Sequence, residues 1–221
     1  MHITKIEVNG FKSLVDFEMD LNKFNCLTGL NGSGKSTVLQ FLDFASQLMR
    51  GDMEGWFKER QWEKSDIVSK LFRLKQTIDF TIEIQASQKK AYEWVARYNM
   101  VENKCTSEVF LLKELLPNND VNEEILLRTK SQQMIIYKGG IGGESKRSFL
   151  RAKIAFHYSG SILSQITEKM LHEELILLTL FFRNINSFDM LAPRSLRKRA
   201  RKSEGSIGLS GERLSAFLHE I

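Results

Sequence analysis

At 221 residues, with 42% hydrophobic and 27% charged side chains, the chain has the balance of a globular protein able to bury one core or slightly more. No run approaches the roughly 18 apolar residues that cross a bilayer, and Met1 to Gly10 mixes polar with apolar residues where a signal peptide needs an apolar core, which points to a cytoplasmic protein. The net charge of +5 is local: Arg194, Arg197, Lys198, Arg199, Arg201 and Lys202 fall within nine residues with no acid among them, and the remainder is close to neutral. Such a run fits a phosphate-contacting segment, and equally a solvated surface loop.

Cys26 and Cys105 have neither disulfide-framework nor zinc-ligand spacing, and Cys26 is expected to be a small core residue. His2, His157, His172 and His219 are scattered and form no metal constellation in the sequence.

In chain order, Thr4, Ile6 and Val8 share one face of a period-two pattern, with Ile3 out of phase; a first strand is expected there. After Gly10, the alternation of Phe17, Met19 and Leu21 with Asp16, Glu18 and Asp20 predicts a second, half-buried strand. Phe24 to Thr28 is a short apolar run ending in glycine, which predicts a buried strand feeding a loop. From Ser36 the period changes: Val38, Leu39, Leu42, Ala45 and Leu48 share a face, so a helix is expected, closing near Gly51.

A polar stretch with large aromatics follows from Gly55 to Trp62. Strand patterns then recur at Ile78 to Ile84, Tyr92 to Val101, Ser107 to Leu112, Ile125 to Thr129, Met134 to Tyr137 and Ser148 to Tyr158, which implies an antiparallel sheet inserted after the first helix. The glycines from Gly139 to Gly143 lack a following lysine and helix and read as a turn. A long helix is expected from about Ser164 to Asn186, with Glu173 and Glu174 on its solvated face, and an amphipathic helix through Leu214, Phe217, Leu218 and Ile221 after the basic run.

Gly29-Leu30-Asn31-Gly32-Ser33-Gly34-Lys35-Ser36-Thr37 satisfies the P-loop pattern G-x-x-x-x-G-K-[ST], set between a predicted strand and a predicted helix. Glycines 29, 32 and 34 let the backbone wrap a polyphosphate with its amides turned inward, and the helix adds its positive N-terminal end. Lys35 would supply charge to the β- and γ-phosphates, the Ser36 hydroxyl would ligate Mg²⁺, and Thr37 would contact the α-phosphate. The cofactors this motif calls for are ATP and Mg²⁺, with Asn31 and Ser33 in the loop itself.

A first strand running into Asn9-Gly10-Phe11-Lys12-Ser13-Leu14, then a second strand, then Thr28 and the P-loop, resembles the N-terminal lobe of an SMC/RecF-like ATPase of the ABC-type group. The resemblance implies an α/β P-loop NTPase core of SMC/ABC type with an antiparallel β lobe. Its parts would be 1–50 (strands, P-loop and helix), 75–158 (β lobe) and 159–221 (helical segment with the basic loop).

By the same resemblance Lys12 and Ser13 approach the nucleotide. The resemblance also places Arg60, after the P-loop helix, to reach phosphate, although a surface salt bridge accounts for it as well. Gln165, just beyond the last strand, takes the place of the family's glutamine that couples metal and attacking water, with an exposed helix-start glutamine as the alternative; Gln132 and Gln133 fit that place less well as turn residues.

No apolar run enters Asp-Glu, so the Walker B acid and the catalytic glutamate have no counterpart here, and Leu209-Ser210-Gly211-Glu212 reads as a helix-entry turn, with an ABC signature as the minor alternative. The fold is therefore expected to be incomplete at the C-terminus, either as a truncated piece or as half of a site completed by another polypeptide.

The resemblance implies two heads, as a homodimer or a paired ATPase head, that sandwich ATP and act with DNA in repair or anti-phage defence. DNA would bind through the six basic residues at 194–202, and an effector protein would be a further partner. The alternatives are a nucleotide-binding regulatory module that does not hydrolyse, and a P-loop small-molecule kinase, which the two strands ahead of the P-loop disfavour.

Overall fold

The computed structural model describes residues 1–72, 76–118, 120–130, 132–138, 148–187, 215, 216 and 219. It divides into two compact units, Met1–Asn184 and Ile185–Ile221. In the second unit Ser215, Ala216 and His219 are helical; the basic run at 194–202 and the Leu209 to Glu212 turn lie outside the described residues, as does the Gly139 to Gly143 turn.

The first unit is built on one antiparallel sheet of eight strands: β1 (His2–Asn9), β2 (Phe17–Asp20), β3 (Thr77–Ser87), β4 (Lys90–Asn99), β5 (Lys104–Leu115), β6 (Val121–Lys130), β7 (Gln133–Lys138) and β8 (Ser148–Lys153). Their order is β2-β1-β3-β4-β5-β6-β7-β8. The opening strands thus belong to the same sheet as the lobe: β1 pairs with β3 through Ile6↔Ile82 and Val8↔Phe80, leaving the P-loop and two helices as an excursion between β2 and β3.

Period-two burial explains why these segments pair. Ile78, Phe80, Ile82 and Ile84 of β3 and Tyr92, Trp94, Ala96 and Tyr98 of β4 are all buried on one face, while their neighbours face outward.

Helix α1 (Lys35–Arg50) covers that face. It ends at Gly51 in the left-handed conformation, whose N–H donates to the Gln47 carbonyl at 3.0 Å. Its Phe41 and Phe44 meet Phe80 edge-on at 5.5 and 6.5 Å, and Phe44 meets Tyr98 at 5.1 Å. Beside it, α3 (Glu173–Arg183) sets Phe182 4.9 Å from Trp94. Among the described residues no helix is long and apolar enough to cross a membrane.

Several expectations are corrected. Phe24 to Thr28 is not a strand: Phe24 is 84% exposed and Cys26 is exposed, because no strand among the described residues lies beside this run to take its hydrogen bonds. The aromatic stretch after α1 is helical, α2 (Met53–Arg60), capped by the Asp52 carboxylate, which accepts from the Gly55 N–H at 2.9 Å.

The last strand stops at Lys153. Ile154 to Tyr158 then runs back across the strand ends, with the Ile154 N–H donating to the Gln132 carbonyl and the Tyr158 hydroxyl donating to the Cys105 carbonyl. The long helix expected from Ser164 is two short 3-10 turns (Ile162–Ser164 and Glu168–Met170) followed by α3, whose N-terminus is fixed by His172 accepting the Glu174 N–H. Glu174 is not solvated: its carboxylate accepts from Lys90 and from the Tyr92 hydroxyl.

Candidate functional site

The first two turns of α1 and the loops packed on them gather most of the residues singled out in the sequence. Gly29, Gly32 and Gly34 have φ of 151°, 82° and 91°, a region that L side chains rarely adopt, and Gly34 is the N-cap of α1. No side chain caps the helix and no acidic residue stands in its first turn, so its positive end is left facing the loop. The tip carries Leu30, 85% exposed, with Asn31, Gly32 and Ser33 also exposed.

The Lys35 ammonium is folded into the loop, donating to the Gly29 and Leu30 carbonyls at 2.9 and 2.7 Å and to Ser33 Oγ at 3.3 Å. This holds a cation inside a ring of backbone, beside an uncapped helix end. A polyphosphate presents the anionic oxygens that both features favour. The Ser36 hydroxyl, exposed in the first turn, is an oxygen donor of the hard kind Mg²⁺ takes, so the donor set fits the ion that accompanies such a phosphate.

Lys12 and Ser13 are carried to this helix by a pinned turn. Gly10 at φ 97° lies where a Cβ would meet the Thr77 carbonyl oxygen at 2.9 Å, and the Lys12 N–H donates to the Ile67 carbonyl. Phe11 is fully buried between Phe41 and Phe44, at 5.7 and 5.3 Å. Ser13 Oγ consequently lies 3.4 Å from Thr37 Oγ1, and Lys12 Nζ donates to Gln40 Oε1 at 2.9 Å.

The same ammonium sits 3.3 Å from the centroid of the Trp62 ring. Burial, reinforced by the nearby Arg60 guanidinium, pulls the Lys12 pKa down to about 8.

Arg60 is held by a carboxylate. Its Nη2 donates to Asp43 Oδ2 at 2.6 Å, the same oxygen that accepts from Trp56 Nε1 at 2.6 Å, and its guanidinium lies 5.5 and 5.1 Å from the rings of Trp56 and Trp62. The pair is mostly buried, at 14% and 6% side-chain exposure, so the ion pair is not the surface salt bridge expected as the alternative.

Gln40, Asp43, Trp56 and Trp62 were not singled out by sequence reasoning. One signal was available for Asp43: a carboxylate set between Phe41 and Phe44 on the apolar face of a helix needs a buried partner.

Gln165 is not brought to this site. Gly160 packs on the Leu48 backbone, and Gln165 Nε2 lies beside Gly51, so the residue sits at the C-terminal end of α1. A 16-residue helix at 1.5 Å per residue puts that about 24 Å from Lys35. The expectation that Gln165 joins Ser36 at a metal does not fit this arrangement, because the chain leaving β8 returns along the strand ends to the wrong end of the helix. Gln132 and Gln133 are exposed at the turn between β6 and β7.

A family model described as an AAA ATPase domain matches residues 1–181. The chain belongs to that family. The match takes in the P-loop, the Lys12–Ser13 turn and the whole antiparallel sheet of this ATPase domain, the stretch on which the SMC/RecF-like resemblance rests. A comparison with curated proteins finds no match. Among solved structures, one described as the structural biochemistry of ATP-driven dimerization and DNA-stimulated activation of SMC ATPases aligns with 57% of this chain and 69% of its own, at 18% identity and a TM-score of 0.32.

Proposed function

We propose that this ATPase domain is the ATP-holding part of an SMC/RecF-like head, and that two heads close on ATP and part when it is lost, acting with DNA in repair or anti-phage defence. The observation that supports the reading is the conjunction at the start of α1: three left-handed glycines, an uncapped helix end and the Lys35 ammonium, all within one loop. In this reading the Gly29 to Thr37 amides and Lys35 bind the phosphates, and Ser13 and Lys12 approach from the side. Ser36 holds Mg²⁺, which when bound neutralises phosphate charge. Arg60 acts through its packing, fixing Trp62 and lowering the Lys12 pKa.

The exposed apolar loop tip, with Leu30 at 85%, suits a site that a second surface covers once nucleotide is held. Sedimentation velocity with and without ATP and Mg²⁺ tests the pairing. The expected outcome is an ATP-dependent shift from monomer to dimer that Lys35→Ala abolishes; a sedimentation coefficient indifferent to ATP would refute head closure.

A further inference from the structure

Lys12 and Ser13 are neighbours in one turn, yet their side chains go to different places along α1. Ser13 Oγ stands at the start of the helix, 3.4 Å from Thr37 Oγ1 and 3.5 Å from where a Cβ on Gly34 would lie. The Lys12 ammonium turns instead to Gln40 Oε1, at 2.9 Å, and to the face of Trp62, 3.3 Å from the ring centroid. Gln40 lies about 9 Å along the helix from Gly34, at 1.5 Å per residue.

Both ends of this contact are fixed by the backbone. Lys12 has φ 48°, and its N–H donates to the Ile67 carbonyl at 2.9 Å. Trp62 follows the left-handed Gln61 that ends α2; its N–H donates to the Phe57 carbonyl at 2.9 Å, and its ring meets Trp56 edge-on at 5.4 Å. Trp56 in turn donates to Asp43 of α1. What remains free is the flexible four-carbon stem of Lys12, so the ammonium can leave the ring with no change of fold.

Electrostatics explain why it rests there. The Lys35 ammonium already occupies the loop, 2.7 Å from the Leu30 carbonyl oxygen and beside the positive end of α1. The charged groups that face Lys12 are Arg60 of α2, which repels it, and Asp66 of the 3-10 turn Lys64–Asp66, which attracts it; Asp43 is engaged by Arg60. Without an anion at the loop, a second ammonium there meets positive charge, whereas an indole face and an amide oxygen give it a neutral seat. A polyphosphate at the loop reverses that preference.

We propose that Trp62 and Gln40 are positioning residues that hold the Lys12 ammonium away from the P-loop until phosphate arrives, so that nucleotide competes with a ring face and an amide oxygen for this cation. The release step rests on the reading that the loop holds ATP; the holding contact does not.

The test is NMR of the full chain carrying lysine labelled with ¹³C at Cε, the Lys12 signal being assigned by its loss in Lys12→Arg. Without nucleotide, the ring current of Trp62 is expected to move the Lys12 ε-protons upfield, an effect kept in part by Trp62→Phe and abolished in Trp62→Leu. Saturating ATP with Mg²⁺ is expected to return the parent signal to the position of an ordinary lysine. By calorimetry, Trp62→Leu is expected to bind ATP about two- to fivefold more tightly, the equivalent of one cation–π contact no longer to be broken. In a Lys12→Ala background the same substitution should change nothing, which a purely structural role for Trp62 would not produce.

An ordinary Lys12 position without nucleotide would overturn the proposal, as would an equal effect of Trp62→Leu with and without Lys12. The ATP titration uses the parent protein alone, so the proposal remains open to refutation even where a variant does not fold. A parent that binds ATP while the upfield shift persists overturns this inference and leaves the ATP reading intact. A parent that binds no ATP overturns the ATP reading and the release step with it, while a nucleotide-free shift would still support the holding contact.

Discussion

Lys12 shows how the fold sets the chemistry of one side chain. Its ammonium is half-buried over Trp62, bonded to Gln40 and repelled by Arg60, and its pKa is pulled down to about 8. The protonated form is the one that attracts phosphate, so the contribution of Lys12 to nucleotide affinity is full well below pH 8 and is lost as pH rises through it. ATP affinity is therefore predicted to fall about three- to tenfold between pH 7 and pH 9, and Lys12→Arg, which stays charged, is predicted to flatten that profile. Isothermal titration calorimetry at the two pH values checks this; a parent and variant with identical pH profiles would show that Lys12 does not face the phosphates.

At the scale of elements, α2 is hung on α1 through one carboxylate. Asp43 accepts from Arg60 and Trp56 together, and the Arg60 guanidinium lies beside the mutually packed rings of Trp56 and Trp62. Removing the carboxylate strands a buried guanidinium, so Asp43→Ala is predicted to cost about 3–5 kcal/mol of stability in urea denaturation. Arg60→Met in the Asp43→Ala background should recover part of it; a loss under about 1 kcal/mol would mean that the pair behaves as a surface ion pair.

How much of these elements was legible in the sequence follows from what each rests on. Strands β3 and β4 were, because Ile78-Phe80-Ile82-Ile84 and Tyr92-Trp94-Ala96-Tyr98 alternate without interruption, and β5 to β7 were through short apolar runs such as Phe110-Leu111-Leu112 and Ile125-Leu126-Leu127. Helix α1 and the P-loop were, because glycines mark both ends. Helix α2 was not: Gly55 reads as a breaker, yet it is the residue whose N–H meets the Asp52 cap, and a Cβ there would fall 2.2 Å from that carboxylate. Phe24 to Thr28 has a strand's composition, but composition does not supply a neighbour to bond with. Glu174 reads as solvated because its partners, Lys90 and Tyr92, are more than eighty residues away.

Across the whole first unit, the sheet is tied to the segment returning from β8 by a buried acid. Glu108 of β5 is fully buried, accepting from the Ile162 N–H at 2.8 Å and from Trp94 Nε1 at 3.3 Å, and burial raises its pKa to about 7 from an ordinary 4.5. The folded form therefore binds this proton more tightly than the unfolded chain does. The stabilisation is full below pH 4.5 and is lost as pH rises through 7, an effect on the order of 3 kcal/mol. Glu108→Gln, a neutral mimic of the protonated acid, is predicted to remove this slope; a pH dependence of urea midpoint equal to that of the parent would refute it.

The central claim is that the loop from Gly29 to Thr37 holds ATP, with Lys35 as its fixed cation. The direct measurement is a calorimetric titration of ATP with Mg²⁺ into the chain and into Lys35→Ala, each first shown to be folded by circular dichroism. The account predicts saturable binding by the parent, weakened at least about a hundredfold by the substitution, the loss of a charge-assisted contact worth about 3 kcal/mol. ATP affinity unchanged in Lys35→Ala would contradict it.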